Sequence, residues 1–260
     1  MSNLFTQIYL SYKALFLWLN WPGVIGNIVA RPMLNVAMFS LVGRFAGHPE
    51  ATQRYVLGMA LYSIVEIVTG GVIQSFSYER GFGTLPLIYC SPASRWWIYA
   101  ARSGMHYPNG LVCFVLSVTF GAIFLGFDYS RTNWALLVIA VIVVTLSSSA
   151  YALLIGNITL LYRNWTAIYS FAGSAILLLT GVLIPVSVLP VPLQALAQIL
   201  PLTHGLEAFR AAFAGADITV ATDALLWEIA IALAYGVVGF VSFRLIGEAA
   251  RRTGLIEAGI

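Results

Sequence analysis

The side chains most suited to chemistry form a polar stripe within an apolar run of the sequence. Ser63, Glu66, Gly70 and Gln74 follow one another at i, i+3, i+7 and i+11 in YVLGMALYSIVEIVTGGVIQSF. This spacing places all four residues on one face of a helix. A carboxylate in the middle of so apolar a helix is costly unless it faces protein or water. Two interpretations of Glu66 are therefore open: the stripe lines a substrate path or a contact between helices, or Glu66 is a protonated, hydrogen-bonded packing residue.

The other reactive residue types are scattered and predict no enzyme active site. The histidines His48, His106 and His204 lie far apart, and neither a His-Glu-x-x-His nor a Gly-x-Ser-x-Gly motif occurs. Ser147 to Ser149 lie inside an apolar run, where small side chains ease the packing of helices. The aspartates show no metal-ligand spacing: Asp128, Asp217 and Asp223. We therefore predict no catalytic residue, no metal site and no cofactor-binding site in this chain.

The composition indicates that lipid surrounds most of the chain. Of its 260 residues, 60% are hydrophobic and only 9% are charged, whereas soluble domains carry roughly 25% charged residues. The net charge of +3 suggests no nucleic-acid partner. Lys13 is the single lysine, and no P-loop motif surrounds it. Because a P-loop needs its lysine to reach the phosphates, the chain cannot hydrolyse ATP by that route.

Six apolar runs are long enough to cross a bilayer as helices, which takes about 20 residues. They lie at 23–44, 55–76, 97–126, 134–161, 166–189 and 223–247. Before the first run, apolar residues recur at helical spacing over Asn3 to Asn20, and Trp21-Pro22-Gly23 separates this segment from the run. We interpret 3–20 as an amphipathic helix lying in the membrane interface rather than as an extension of the first span.

The distribution of Lys and Arg predicts the orientation. Segments that would lie inside with a cytoplasmic N-terminus carry more Lys and Arg than the outside segments. Arg31 falls within the first run and is left out of this comparison. The excess favours both termini in the cytoplasm, and with them the polar loop Ser77 to Arg102. Glu228, beside Trp227 early in the sixth run, is interpreted as an interfacial residue.

The segment between the fifth and sixth runs is apolar but cannot form one long helix. Four prolines interrupt it: Pro185, Pro190, Pro192 and Pro201. We predict two short helices, near 191–199 and 203–214. The segment is too apolar for a surface loop, so we expect a hairpin that dips back into the outer leaflet, buried in protein or facing water.

The polar loop carries a short pattern of its own. Residues Glu79 to Cys90 have helical character, and Ser91-Pro92 interrupts it. We predict a short amphipathic helix parallel to the membrane, suited to act as a lever for a cytoplasmic partner.

Two motifs of this chain resemble those of type-2 ABC transporter permeases. The first is the run ERGFGTL at 79–85 followed by SPASR at 91–95, and the second is LPLTHGLEAFR at 200–210. The resemblance implies that the first motif couples the permease to an ATPase through Glu79, Arg80, Gly83, Thr84, Leu85, Pro92 and Arg95. It implies that the second belongs to the outer hairpin, with Pro201, Thr203, His204, Glu207 and Arg210.

The resemblance also implies an architecture. The expected fold is an all-α integral membrane protein with six transmembrane helices, an N-terminal interfacial helix, a cytoplasmic coupling helix and an outer re-entrant hairpin before the last span. Residues 1–260 would form a single transmembrane permease domain. Within it, 3–20 would be the interfacial helix, 78–95 the coupling loop and 186–222 the hairpin.

The implied function is export out of the cell across the cell membrane, driven by another chain. Two copies of a cytoplasmic ABC ATPase would bind ATP and Mg, and a second permease copy would complete a homodimer. The expected cargo is an amphipathic or hydrophobic drug- or antibiotic-like molecule, or alternatively a polysaccharide or lipid-linked saccharide. Two alternatives from other classes are a non-transporting membrane anchor and an integral-membrane enzyme.

Overall fold

The computed structural model describes residues 20–45, 49–84, 87, 98–99, 103–104, 106–160 and 164–253, and the described residues contain helices and no strands. The helices are α1 Trp21–Phe45, α2 Pro49–Gly81, α3 His106–Leu125, α4 Trp134–Thr159, α5 Trp165–Leu179, α6 Val191–Ile199, α7 Thr203–Phe213 and α8 Thr222–Thr253. Short 3₁₀ turns at Val186–Val188 and Ile218–Ala221 precede α6 and α8. The all-α prediction is confirmed for this part of the chain.

Helix α2 forms the centre of the bundle. Its side chains are buried on every face, and α1, α3 and α4 pack around it, while α8 packs against α4. The largest fully buried side chains of α2 are Met59, Leu61, Ile64, Ile73 and Phe76. By contrast, α8 leaves large apolar side chains such as Leu233 and Val237 exposed. An apolar outer surface of this kind suits lipid or another protein as its surroundings.

Five helices of the described residues are long and apolar enough to cross a membrane: α1, α2, α3, α4 and α8. The fifth predicted run, 166–189, does not continue as one helix. Helix α5 has 15 residues and ends at Leu179. The reason is local: the Thr180 hydroxyl donates to the Ile176 carbonyl at 2.6 Å, and Gly181 adopts a left-handed φ of 88°, which ends a helix. Helix α3 covers the third predicted run from His106, and most of the preceding part, 97–105, lies outside the described residues.

Helix α5 and the residues that follow it nevertheless run along most of α2. The Trp165 ring meets the Tyr78 ring edge-on, with centroids 5.8 Å apart. At the other end, a Cβ at Gly58 would lie 2.8 Å from the Val182 carbonyl oxygen, so the two backbones are in contact there. At 1.5 Å per residue, Tyr78 and Gly58 are separated by roughly 30 Å along α2, which is the thickness of a bilayer core.

Helices α6 and α7 occupy the positions predicted for the two short helices. Helix α7 lies beside the first half of α4 and runs antiparallel to it. The Asn133 amide, at the start of α4, donates to the Ala212 carbonyl at 2.8 Å. The opposite end of α7 lies near Ser147, roughly 20 Å further along α4. The position of this hairpin relative to a bilayer stays a prediction.

Part of the predicted cytoplasmic surface lies outside the described residues. This applies to the interfacial helix except its last residue, Asn20, whose side-chain oxygen accepts from the Gly23 amide at 3.0 Å and caps α1. It applies also to most of the loop 78–95. The prediction that a separate helix begins at Glu79 is wrong, because Glu79 and Arg80 belong to the last turn of α2. Gly83, with a φ of 69°, follows the end of α2.

Candidate functional site

A cavity of about 200 Å³ lies between α1, α2, α3 and α5. Three of the four residues of the predicted stripe line it: Glu66, Gly70 and Gln74. The fourth, Ser63, is buried elsewhere, and its hydroxyl donates to the Ala60 carbonyl at 2.7 Å and accepts from Ser117 of α3 at 3.5 Å. Ser63 therefore packs α2 against α3 and is not part of the cavity.

The main feature of the cavity is an ion pair between α1 and α2. The Nη2 of Arg31 donates to Oε1 of Glu66 at 2.5 Å. The Glu66 side chain is 14% exposed and the Arg31 side chain 45%. A guanidinium beside a carboxylate compensates the charge that a membrane interior would otherwise penalise. The structure thus gives Glu66 a charged partner on another helix and a place in a cavity wall, and the role of the stripe in a substrate path stays a prediction.

The residue after Arg31 explains how α1 presents this charge. Pro32 lacks an amide hydrogen, and its ring conflicts with the carbonyl four residues earlier, that of Ile28. The helix widens into a π-helical segment at Ile25–Ala30, where the Arg31 amide donates to the Gly26 carbonyl. The displaced Ile28 carbonyl accepts from the Cys113 thiol of α3 at 3.4 Å. An Arg-Pro pair inside an apolar run is the sequence signal for this feature, and π-helical turns are frequent at functional sites.

Two adjacent glycines of α2 leave room for the rest of the wall. A Cβ at Gly70 would lie 3.0 Å from the Tyr169 hydroxyl of α5, and a Cβ at Gly71 would overlap the His106 ring of α3. Both rings line the cavity. Glycine is therefore required on this face for α3 and α5 to approach α2 so closely.

The cavity lies toward the end of the bundle where α2 ends. Gln74 is near the last turns of α2, His106 is the first residue of α3, and Tyr169 is in the second turn of α5. Because α3 and α5 both run antiparallel to α2, their first turns and the last turns of α2 lie at the same end of the bundle. The predicted coupling loop begins at that end too.

A second buried carboxylate, Glu228 of α8, lies near the hairpin. Its Oε1 accepts from the Leu202 amide at 2.8 Å and from the Ser147 hydroxyl of α4, and its Oε2 accepts from the Gly205 amide at 2.9 Å. Its exposure is 0%, so Glu228 is enclosed by protein, and its depth in the membrane stays a prediction. Three donors and the positive end of the α7 dipole satisfy the carboxylate. The serine run 147–149 is the sequence signal that could have indicated a partner.

The predicted hairpin residues mostly hold the hairpin together. The Thr203 hydroxyl donates to the Ala197 carbonyl at 2.6 Å, and Arg210 donates through Nη2 to the Gly181 carbonyl at 2.9 Å. The His204 Nε2 lies 3.2 Å from the Gln198 carbonyl oxygen. Pro201 is buried, whereas Glu207 is exposed. The turn is strained at Leu202, which has a left-handed φ of 87°.

Comparison with known families decides the class of this membrane protein. The family model described as ABC-2 type transporter matches residues 6–214. The chain belongs to the ABC-2 type transporter family. It is therefore a multi-pass transmembrane permease of an ABC transporter. No curated protein matches the chain.

The predicted coupling motif begins at the end of α2. Glu79 and Arg80 lie in its last turn, and Gly83 and Thr84 follow directly. The other predicted coupling residues lie outside the described residues: Leu85, Pro92 and Arg95. Within the described part of the chain, no three His, Cys, Asp or Glu side chains come together as a metal site would require.

Proposed function

We propose that this chain is the transmembrane subunit of an ATP-driven exporter, with ATP hydrolysed by a separate subunit. The cargo is an amphipathic, drug- or antibiotic-like molecule. The observation that carries this proposal is the polar cavity with its ion pair, enclosed by apolar helices at the end of the bundle where the coupling loop begins. A membrane anchor would gain nothing from placing two charges in such a cavity, since burying them is costly.

The proposed topology has six crossings with both termini in the cytoplasm of a cell-membrane protein. Helix α5 supplies the sixth crossing together with the residues up to Val182. Its contacts with α2 over roughly 30 Å support this assignment. The hairpin of α6 and α7 enters the outer leaflet, in keeping with the position of α7 beside the first half of α4.

The proposed partners are two copies of a cytoplasmic ABC ATPase and a second copy of this permease. ATP and Mg bind the ATPase, because the single lysine of the permease lies in no phosphate-binding loop. The ATPase contacts the segment 79–95. A change of state in the ATPase acts on the cavity through α2, which carries Glu66 near its middle and the coupling residues at its end.

A second cargo class is favoured by the neutral side chains of the cavity. Asn27, Gln74 and Asn109 supply amides to the wall, and amides are good partners for hydroxyl groups. A lipid-linked saccharide would use them through its sugar.

The test is transport into inverted membrane vesicles that contain the permease and its ABC ATPase partner. Fluorescent amphiphiles should accumulate only with hydrolysable ATP, and Glu66→Gln should change the rate or the range of probes. The control is Asp223→Asn, which alters an exposed carboxylate at the start of α8, outside both motifs, and should leave transport unchanged. Unchanged transport and probe range in the Glu66 variant would show that the cavity is not part of the transport path.

A further inference from the structure

We propose that the Arg31–Glu66 pair makes the cavity select the charge of the cargo, in favour of a polar part that is uncharged and rich in hydroxyl groups. This inference rests on the proposed function and adds the substrate class to it. It concerns the part of the molecule that enters the cavity, whatever the length of its apolar tail.

The size of the cavity limits what it holds. Pockets that take a whole drug-sized ligand measure roughly 300–1,000 Å³, whereas this cavity measures about 200 Å³. It therefore receives one compact polar group. The apolar remainder of the cargo would lie along the hydrophobic helices outside it.

Among the described residues that line the cavity, the formal charges cancel one another. Arg31 and Glu66 form a pair, and the amides of Asn27, Gln74 and Asn109 carry no formal charge. Among the described lining residues, the other side chains that can ionise are His106 and Tyr169, and free imidazole and phenol groups are both uncharged at pH 8.

A charged group entering the cavity would disturb this balance. An anion would compete with Glu66 for Arg31 and leave the carboxylate without its cation, and a cation would do the reverse to Arg31. Leaving Glu66 without its cation is unfavourable, because this side chain is only 14% exposed and lies in the middle of an apolar span. A polyol is uncharged, and its hydroxyl groups can donate to and accept from amides and charged groups of the wall. The Arg31–Glu66 ion pair then stays intact.

The experiment measures binding to the full-length permease in nanodiscs of zwitterionic lipid at pH 8, together with its ATPase. Three fluorescent probes share one apolar tail and carry an uncharged polyol, a trimethylammonium or a sulfonate head. The wild type should bind the polyol probe about tenfold or more tightly than either charged probe. Glu66→Gln should gain affinity for the sulfonate, and Arg31→Gln for the trimethylammonium.

Two further variants keep the test decisive if a single substitution prevents folding. Arg31→Gln/Glu66→Gln should prefer the polyol probe less strongly than the wild type does, and the exchanged pair Arg31→Glu/Glu66→Arg should keep the wild-type order. The same order of affinities in every folded variant would overturn the inference, as would a wild type that binds no probe. ATP-dependent transport is measured separately: transport without charge selection contradicts only this inference, and charge selection without transport contradicts only the proposed function.

Discussion

Two carboxylates inside the bundle are satisfied in different ways. Glu66 has a single cationic partner, Arg31, and borders a cavity. Glu228 is fully enclosed and is held by two backbone amides and the Ser147 hydroxyl. An ion pair at a cavity wall can exchange partners, whereas a carboxylate that caps a helix fixes one element on another. We therefore propose that Glu66 belongs to the cargo path, whereas Glu228 holds the hairpin on α8.

The role of Glu228 is tested by Glu228→Gln. The amide keeps the shape of the side chain but places an NH₂ group where an oxygen now accepts from Leu202 or Gly205. A buried amide hydrogen then loses its partner, at a cost of about 1–3 kcal/mol in the free energy of unfolding. Ser147→Ala should cost about 1 kcal/mol, because it removes one of the three donors.

The control for both variants is Glu207→Gln, an exposed carboxylate on α7, with an expected change within about 0.5 kcal/mol. The measurement is denaturant unfolding of the purified permease in detergent. Equal stability of the Glu228 and Glu207 variants would show that the hairpin does not depend on the buried cap.

At the scale of helices, local sequence rules predict much and tertiary contacts decide the rest. Prolines precede both α6 and α7, so the starts of both short helices follow from the sequence. The end of α5 at Leu179 is less evident, because it depends on Gly181 adopting a positive φ within an apolar run. The pairing of Arg31 with Glu66 joins two helices, and the π-helical segment before Pro32 alters the register of α1. The periodic pattern of a single segment predicts neither this ion pair nor this change of register.

The turn after α2 gives a prediction with a closely matched control. Gly83 has a φ of 69°, whereas Gly81 is helical, and a Cβ at either residue would meet no atom within 4 Å. Gly83→Ala should therefore cost about 1–2 kcal/mol through backbone strain alone, while Gly81→Ala should be neutral or slightly stabilising. If this turn directs the coupling loop, Gly83→Ala also lowers the transport obtained per ATP hydrolysed. If both variants transport the same amount of cargo per ATP hydrolysed, the turn has no role in coupling.

For the whole molecule, the arrangement of helices predicts which loops are accessible from each side. Ser130, between α3 and α4, and Phe82, after α2, are both exposed. With both cysteines of the chain replaced by serine, Ser130→Cys should react with a membrane-impermeant maleimide on intact cells. Phe82→Cys should react only after the membrane is opened. Labelling of Phe82→Cys on intact cells would show that the topology is inverted and that the coupling loop does not face a cytoplasmic ATPase.

The central claim is that the permease provides a path and another chain provides the energy. The most direct measurement is probe accumulation in proteoliposomes that contain the purified permease alone, or the permease with its ATPase, each with ATP or ADP. We predict accumulation against a gradient only with the ATPase and ATP together. Uphill accumulation by the permease alone would contradict the account.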